Sequence, residues 1–185
     1  MLNLQMIEKT WTLFLDRDGV INVDKPNSYV FNPEEFIFYP GVLSSMKVLN
    51  NRFGHIVIVT NQRGVGRGLM TESDLEAIHS KMMQEILANQ GRIDRIYYCA
   101  TNDNDDTRRK PNPGMAYEAK RDFPGIDFSK SLVVGNSMSD MQFGRNAGMK
   151  TVFVKTTSPE IVLPHSDIDL AFFSLEEFTK ALNLT

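Results

Sequence analysis

Apolar residues along this chain fall into two alternating patterns. Short runs without polar alternation recur at 11–15, 56–60, 93–99, 132–134, 151–154 and, more weakly, 168–172. Continuous apolar runs of this length predict strands buried on both faces, as in a parallel sheet covered by helices. Between the runs, apolar positions move to helical spacing. Over 41–52 they fall at Val42, Leu43, Met46 and Leu49, one face of a helix. Thr71-Glu72-Ser73-Asp74 places an acid three residues after a hydroxyl, a helix start. Leu75, Ile78, Met82 and Ile86 carry that helix towards a stop at Gly91. Pro113 opens a further helix at its first position, 139–147 forms another closed by Gly148, and 175–182 ends the series. Strands alternating with helices predict an α/β fold with a doubly wound, mostly parallel sheet. No repeat, low-complexity tract or interdomain linker interrupts the pattern, so 1–185 reads as a single domain.

Composition adds exclusions. Hydrophobic content of 42% and charged content of 23% suit a soluble globular chain. Lys+Arg 20 against Asp+Glu 23 gives a net charge of −3, with no electrostatic footprint for nucleic acid and no polybasic membrane patch. No apolar stretch approaches a membrane span, and the first residues lack the apolar region of a signal peptide. Cys99 is the only cysteine, which excludes an intramolecular disulfide. These features predict a cytoplasmic protein with neither nucleic acid nor membrane as partner.

In doubly wound sheets, ligands bind beyond the C-terminal ends of the strands. The chemically capable residues follow the predicted strands at that end. Asp16 and Asp18 leave the first strand one residue apart, on the same side. Two such acids repel unless a cation or proton lies between them, so the pair suits a hard-cation site or a solvated turn. A carboxylate beside a cation can also act as nucleophile in phosphoryl transfer, with its neighbour as acid and base. Thr60-Asn61-Gln62 follows the second strand and leads into Gly64, Gly66 and Gly68, which can bring backbone amides close to a phosphate. Arg109 and Lys110 precede the proline-opened helix and can neutralise a phosphate and its attacking carboxylate. Asn136 follows the fourth strand with Asp140 four residues on, offering an oxygen to Mg²⁺ as well as a helix cap.

The order and spacing of these segments over roughly 11–180 resemble the haloacid dehalogenase superfamily of phosphohydrolases. Asp16-Arg17-Asp18-Gly19-Val20-Ile21-Asn22, Thr60-Asn61-Gln62, Arg109-Lys110-Pro111 with Pro113-Gly114, and Gly135 to Asp140 are similar to its four motifs. The chain resembles the compact heptose-bisphosphate and histidinol-phosphate phosphatase group, and Asn22-Val23-Asp24, Tyr29-Val30 and Pro40-Gly41-Val42 resemble its heptose branch specifically. No long insertion separates the motifs, so no large cap domain is expected. The resemblance implies that Asp16 is the nucleophile and that Asp18 protonates the leaving group, then activates water. It implies that Thr60, Asn61, Arg109 and Lys110 bind phosphate or substrate. It also implies that Asp16, the carbonyl of Asp18 and Asn136 hold Mg²⁺, and that the substrate is a small phosphorylated sugar.

Two departures change the expectation. The fourth motif usually begins Gly-Asp, and here it is Gly135-Asn136, which keeps an oxygen but loses a charge. Asp140 could compensate through water. Relatives often hold zinc in the loop after the third strand, whereas 99–108 contains one cysteine and no histidine. Asp103, Asp105 and Asp106 are poor substitutes for soft ligands, so no zinc is expected and Cys99 reads as a core residue. His55, His79 and His165 are scattered, with nothing marking them as catalytic. The preferred reading is a Mg²⁺-dependent phosphatase of D-glycero-D-manno-heptose 1,7-bisphosphate. Alternatives are a histidinol phosphatase, with Asp24 meeting the ammonium group, a polynucleotide 3′-phosphatase, and a non-catalytic phosphosugar-binding protein with a decayed metal site.

Overall fold

The computed structural model describes residues 2–184. β1 (Thr12–Leu15), β2 (His55–Asn61), β3 (Arg95–Cys99), β4 (Ser131–Gly135), β5 (Lys150–Val154) and β6 (Leu170–Phe172) form one parallel sheet, ordered 3-2-1-4-5-6. The helices are α1 (Val42–Arg52), α2 (Arg63–Gly66), α3 (Glu72–Ala88), α4 (Gly114–Asp122), α5 (Met138–Ala147) and α6 (Leu175–Asn183). This is the doubly wound α/β architecture expected from the sequence.

Alternation along the strands sorts side chains into two cores. Leu13, Leu15, Ile56, Ile58, Leu132 and Val134 join the core beneath α1, α3 and α6. Phe14, Val57, Val59, Val133 and Phe153 join the core beneath α4 and α5. Both faces are covered, so the interiors of the central strands, 13–15, 56–59 and 132–134, are apolar throughout and the two-residue period disappears from the sequence. Fully burying each such side chain stabilises by about 1.5–3 kcal/mol.

Strand edges differ from expectation where a side chain takes over backbone pairing. The third strand begins at Arg95 because the Asp94 carboxylate accepts the Ile56 N–H at 2.8 Å. The sixth begins at Leu170 because Asp169 accepts from Thr151 N at 2.9 Å and from Arg145 at 3.0 Å. Thr71 and Asp74 form the expected capping box of α3, which ends at Ala88, ahead of Gly91.

The glycine-rich stretch after β2 departs further. Arg63–Gly66 is a single helical turn, not an open cradle. A Cβ on Gly66 would lie 2.0 Å from the Ala100 carbonyl oxygen, and one on Gly64 would lie 3.1 Å from Met70 Sδ. These glycines admit neighbouring protein at close range rather than a phosphate.

The chain builds outwards from β1 through β2 to β3, then returns beside β1 to build β4 to β6. The crevice this reversal leaves lies at the C-terminal ends of β1 and β4. Register aligns Leu15 with Ile58 and with Val134, so the residues leaving all three strands emerge at one level. Beside the crevice stands the segment 23–38, tied at its base by bridges Asp18↔Asn22 and Asn22↔Phe38. Lys81 on α3 pins it by donating to Pro33 O at 2.8 Å.

Candidate active site

Asp16 leaves β1 with its N–H donating to Val134 O at 3.0 Å, an extension of the β1–β4 ladder. Lys110, from the loop after β3, enters the crevice and is 4% exposed. Its Nζ donates to Asp16 Oδ1 at 2.8 Å and to Val59 O at 2.8 Å, and pairs with Asp140 Oδ1 at 2.6 Å. The three donors of the ammonium are thereby used. The other oxygen of Asp140 accepts from Ser137 N at 3.0 Å and Ser137 Oγ at 2.6 Å, capping α5. Asp140 thus clamps Lys110 and the helix start, in place of the water-mediated metal role expected from the sequence.

The charges of this floor are out of balance. Burial pushes the Asp16 carboxyl up to about 7, against the pull of Lys110 and with the added repulsion of Asp140 and Asp18. Burial also works against the charge of Lys110, but Asp140 and Asp16 outweigh it and raise its pKa. A cation added beside Asp16 would relieve the excess negative charge.

Asp18 has the opposite environment. Its carboxylate accepts from Arg17 Nη2 at 3.0 and 2.9 Å, from Asn22 Nδ2 at 3.0 Å and from Gln62 Nε2 at 2.8 Å. Burial opposes the charge, but Arg17 and these hydrogen bonds hold the pKa below the usual value. Arg17 itself is 1% exposed.

Asn136 faces Asp16 and Asp18 with one atom of its amide, 3.1 Å from Asp18 O and 3.2 Å from Asp16 Oδ2. With the amide oxygen inward, its nitrogen donates to Thr157 Oγ1 at 2.7 Å, and three oxygens converge with no proton between them. With the nitrogen inward, it donates to both oxygens and the Thr157 hydroxyl donates back to the amide. The first arrangement is the donor set of a hard cation. The residues present therefore fit Mg²⁺, and the second arrangement is how the same three groups satisfy themselves without it.

The remaining predicted residues separate. Thr60 Oγ1 accepts from Gln62 Nε2 at 2.9 Å. The Asn61 amide clamps the backbone of Lys110, donating to its carbonyl at 3.2 Å and accepting its N–H at 3.1 Å. Thr60, Asn61 and Lys110 line a recess of about 100 Å³ above Asp16. It adjoins a cavity of about 270 Å³ walled by Asp24, Lys25, Ser28 and Tyr29 from the 23–38 segment and by Gln62. Arg109 lines neither. It donates to Thr101 O at 3.4 Å, and burial together with Arg63 and Arg67 lowers its pKa. Arg67 donates to the Tyr29 hydroxyl at 3.0 Å, and Arg63 to the Asn104 side-chain oxygen. Among the described residues these three guanidiniums hydrogen-bond only to neutral oxygens, and Arg63 Nε is buried without a partner there.

The loop from 100 to 108 is ordered by its own side chains. Thr101, Asp103 and Asp106 each accept a backbone N–H two residues on, and Asn102 donates to Gly66 O at 2.7 Å. Among the described residues no group of three or more His, Cys, Asp or Glu is placed to hold a metal, and Cys99 is buried in the core beneath α4 and α5. Sequence reasoning assigned no role to Arg17, Asn22, Gln62, Lys25, Ser28 or Tyr29. Arg17, Asn22, Tyr29 and Gln62 stood inside segments that carry the resemblance, so a signal was present. Lys25 and Ser28 carried none.

Comparison with known proteins follows this geometry. The family model of polynucleotide kinase 3 phosphatase matches residues 12–174. D-glycero-alpha-D-manno-heptose-1,7-bisphosphate 7-phosphatase of Campylobacter jejuni is 39% identical over 146 residues, covering 79% of this chain and 83% of that protein. D-glycero-beta-D-manno-heptose-1,7-bisphosphate 7-phosphatase of Escherichia coli K12 is 34% identical over 187 residues, covering 96% of each. Among solved structures, D,D-heptose 1,7-bisphosphate phosphatase from B. bronchiseptica, complexed with magnesium and phosphate, superposes with a TM-score of 0.83. It is 30% identical and covers 94% of this chain and 98% of its own.

Proposed function

We propose, since this chain belongs to the haloacid dehalogenase superfamily of phosphatases, that it removes the 7-phosphate of D-glycero-D-manno-heptose 1,7-bisphosphate through an aspartyl-phosphate. The phosphate to be transferred lies in the recess above Asp16, facing Lys110. An oxygen of Asp16 attacks phosphorus, and the bond from phosphorus to the sugar oxygen breaks. Asp18, a carboxylate in the free site, takes up a proton once the negative charge of the phosphate lies beside it, and passes that proton to the departing sugar oxygen. Asp18, now a carboxylate, draws a proton from water. That water attacks phosphorus, which frees Asp16 and inorganic phosphate. Throughout, Lys110 presents fixed positive charge to the nucleophile and the phosphate, in a site too buried for water to screen it. Asp16, the Asp18 carbonyl and Asn136 would hold Mg²⁺, which supplies further neutralisation of phosphate charge when bound.

One observation carries the choice of substrate. Arg63, Arg67 and Arg109 cluster at the outer rim, paired only with neutral groups, while the floor carries the nucleophile. Arg67 reaches the cavity wall through Tyr29. Guanidiniums so placed suit a second phosphate on the same small molecule. The family's name also keeps a nucleic-acid 3′-phosphate in view, although the net charge of −3 does not favour it. No helix among the described residues is long and apolar enough to cross a membrane, and the compartment we propose is the cytoplasm.

The test is a panel assayed with Mg²⁺: both anomers of the heptose 1,7-bisphosphate, heptose 7-phosphate, histidinol phosphate and a 3′-phosphorylated oligonucleotide. The bisphosphate should exceed heptose 7-phosphate in kcat/KM by about tenfold or more, the worth of one charge-assisted contact. A higher kcat/KM for histidinol phosphate or for the oligonucleotide would overturn the assignment.

A further inference from the structure

The buried face of α3 consists of Leu75, Ile78, Met82 and Ile86, with one polar member, His79. Its Nε2 lies 3.1 Å from Nη1 of Arg17, sixty-two residues earlier in the chain. A guanidinium only donates, so Nε2 is the acceptor and the ring is neutral. Burial and the adjacent charge of Arg17 take His79 down to about 3, which keeps it neutral at any working pH.

The second terminal nitrogen of Arg17 donates to both oxygens of Asp18 and to Gln62 Oε1 at 3.2 Å. Gln62 Nε2 in turn donates to Asp18 Oδ2 at 2.8 Å. Arg17, Gln62 and Asp18 therefore close a ring, and His79 anchors it from outside. Packing alone gives no reason for a polar side chain here. Buried polar groups cost free energy, and an apolar residue would continue the helix face.

We infer that His79 is a positioning residue: by accepting from Arg17 Nη1 it fixes the plane of the guanidinium against which the Asp18 carboxyl group is aimed at the leaving oxygen. The inference rests on the reading of Asp18 as proton donor. It assigns His79 no contact with substrate.

The experiment compares kcat/KM for two esters, because this ratio reports steps up to departure of the leaving group. Heptose 1,7-bisphosphate has a poor alkoxide leaving group that needs a proton. p-Nitrophenyl phosphate has a leaving group that departs without one. His79→Phe should lower kcat/KM for the heptose ester by about tenfold or more, within the range that proton donation supplies. The p-nitrophenyl ester should change by less than about twofold, and His79→Gln, which keeps an acceptor, should recover most of the loss. Equal losses on both esters, no loss on either, or no recovery with Gln would each overturn the inference. If His79→Phe does not fold, Arg17→Lys carries the same expectation, since an ammonium beside Asp18 cannot also span to His79 and Gln62. Asp18→Asn, run alongside, separates the two levels. If it shows no leaving-group selectivity, the reading of Asp18 fails and the inference with it. If it is selective and His79→Phe is not, only the inference fails.

Discussion

The floor and the rim of the crevice hold charge in opposite ways. On the floor, Asp16 leaves a strand end, Lys110 a buried loop and Asp140 the first turn of α5, and each charge meets another within 2.8 Å. At the rim, Arg63, Arg67 and Arg109 stand on loops and a single helical turn, and meet only neutral oxygens. On the function proposed above, a floor whose charges meet at close range acts on any phosphate that reaches it. A rim of guanidiniums paired with neutral oxygens then selects which molecule arrives. Chemistry and selectivity are thus carried by separate elements, and substitutions should separate them too.

The largest effect is expected on the floor. Asp16→Asn should lower turnover by at least about four orders of magnitude on every substrate, as loss of a nucleophile does. Stability should move the other way. In the metal-free protein Asp16 rises from the ordinary 3.8 to about 7, so the folded state keeps a proton that the unfolded state releases. Native stability then falls as pH climbs through that window, and the Asn variant escapes the fall. Melting at pH 8 without Mg²⁺ should be higher for the variant than for the native protein, with the difference closing near pH 4. A variant that still turns over p-nitrophenyl phosphate would remove Asp16 from the floor's chemistry.

An intermediate effect is expected where the floor meets the metal. Asn136→Asp restores a negative charge and removes the amide protons that can bridge Asp16 and Asp18. The Mg²⁺ concentration for half-maximal thermal stabilisation, and for half-maximal turnover, should fall by about one to two orders of magnitude. Coincident titrations for the two proteins would show that Asn136 does not touch the ion.

The smallest effect should come from the rim, and it should be selective. Arg63→Ala or Arg109→Ala should raise KM for the heptose bisphosphate about tenfold, while kcat/KM for p-nitrophenyl phosphate stays within about twofold. Equal losses on both esters would merge the rim with the floor and undo the comparison.

The same division decided what could be read from sequence. Asp16, Asp18 and Asn136 were legible because buried strands deliver them at fixed positions and the apolar runs reveal the strands, whereas Lys110, in the loop after β3, was marked by its place before the proline-opened helix and by the resemblance. The capping box at Thr71 and Asp74 was legible because its donors and acceptors are local. Asp140 was visible but misassigned. Its Ser-x-x-Asp spacing announces a cap, and nothing local reveals that its other oxygen meets Lys110, thirty residues earlier. Gly64 and Gly66 suggested a phosphate cradle, but what they admit, Met70 and Ala100, is set by packing. His79 was passed over because the partner it hydrogen-bonds, Arg17, lies beyond the end of β1, sixty-two residues away in sequence. Residues that act through partners distant in sequence have no periodicity to betray them.

The position of β1 between β2 and β4 has a consequence for how the protein comes into being. Parallel pairing needs long connections, and contacts between distant parts of a chain form late and slowly. Asp16 is made before Lys110, which lies 94 residues later in the chain, with Asp140 beyond it. Until β4 emerges and inserts beside β1, Asp16 has neither its Val134 ladder partner nor the clamp on its lysine. A nascent chain that stops short of α5 therefore carries the proposed nucleophile without the clamp on its lysine. Asp16 is translated before the residues that equip it.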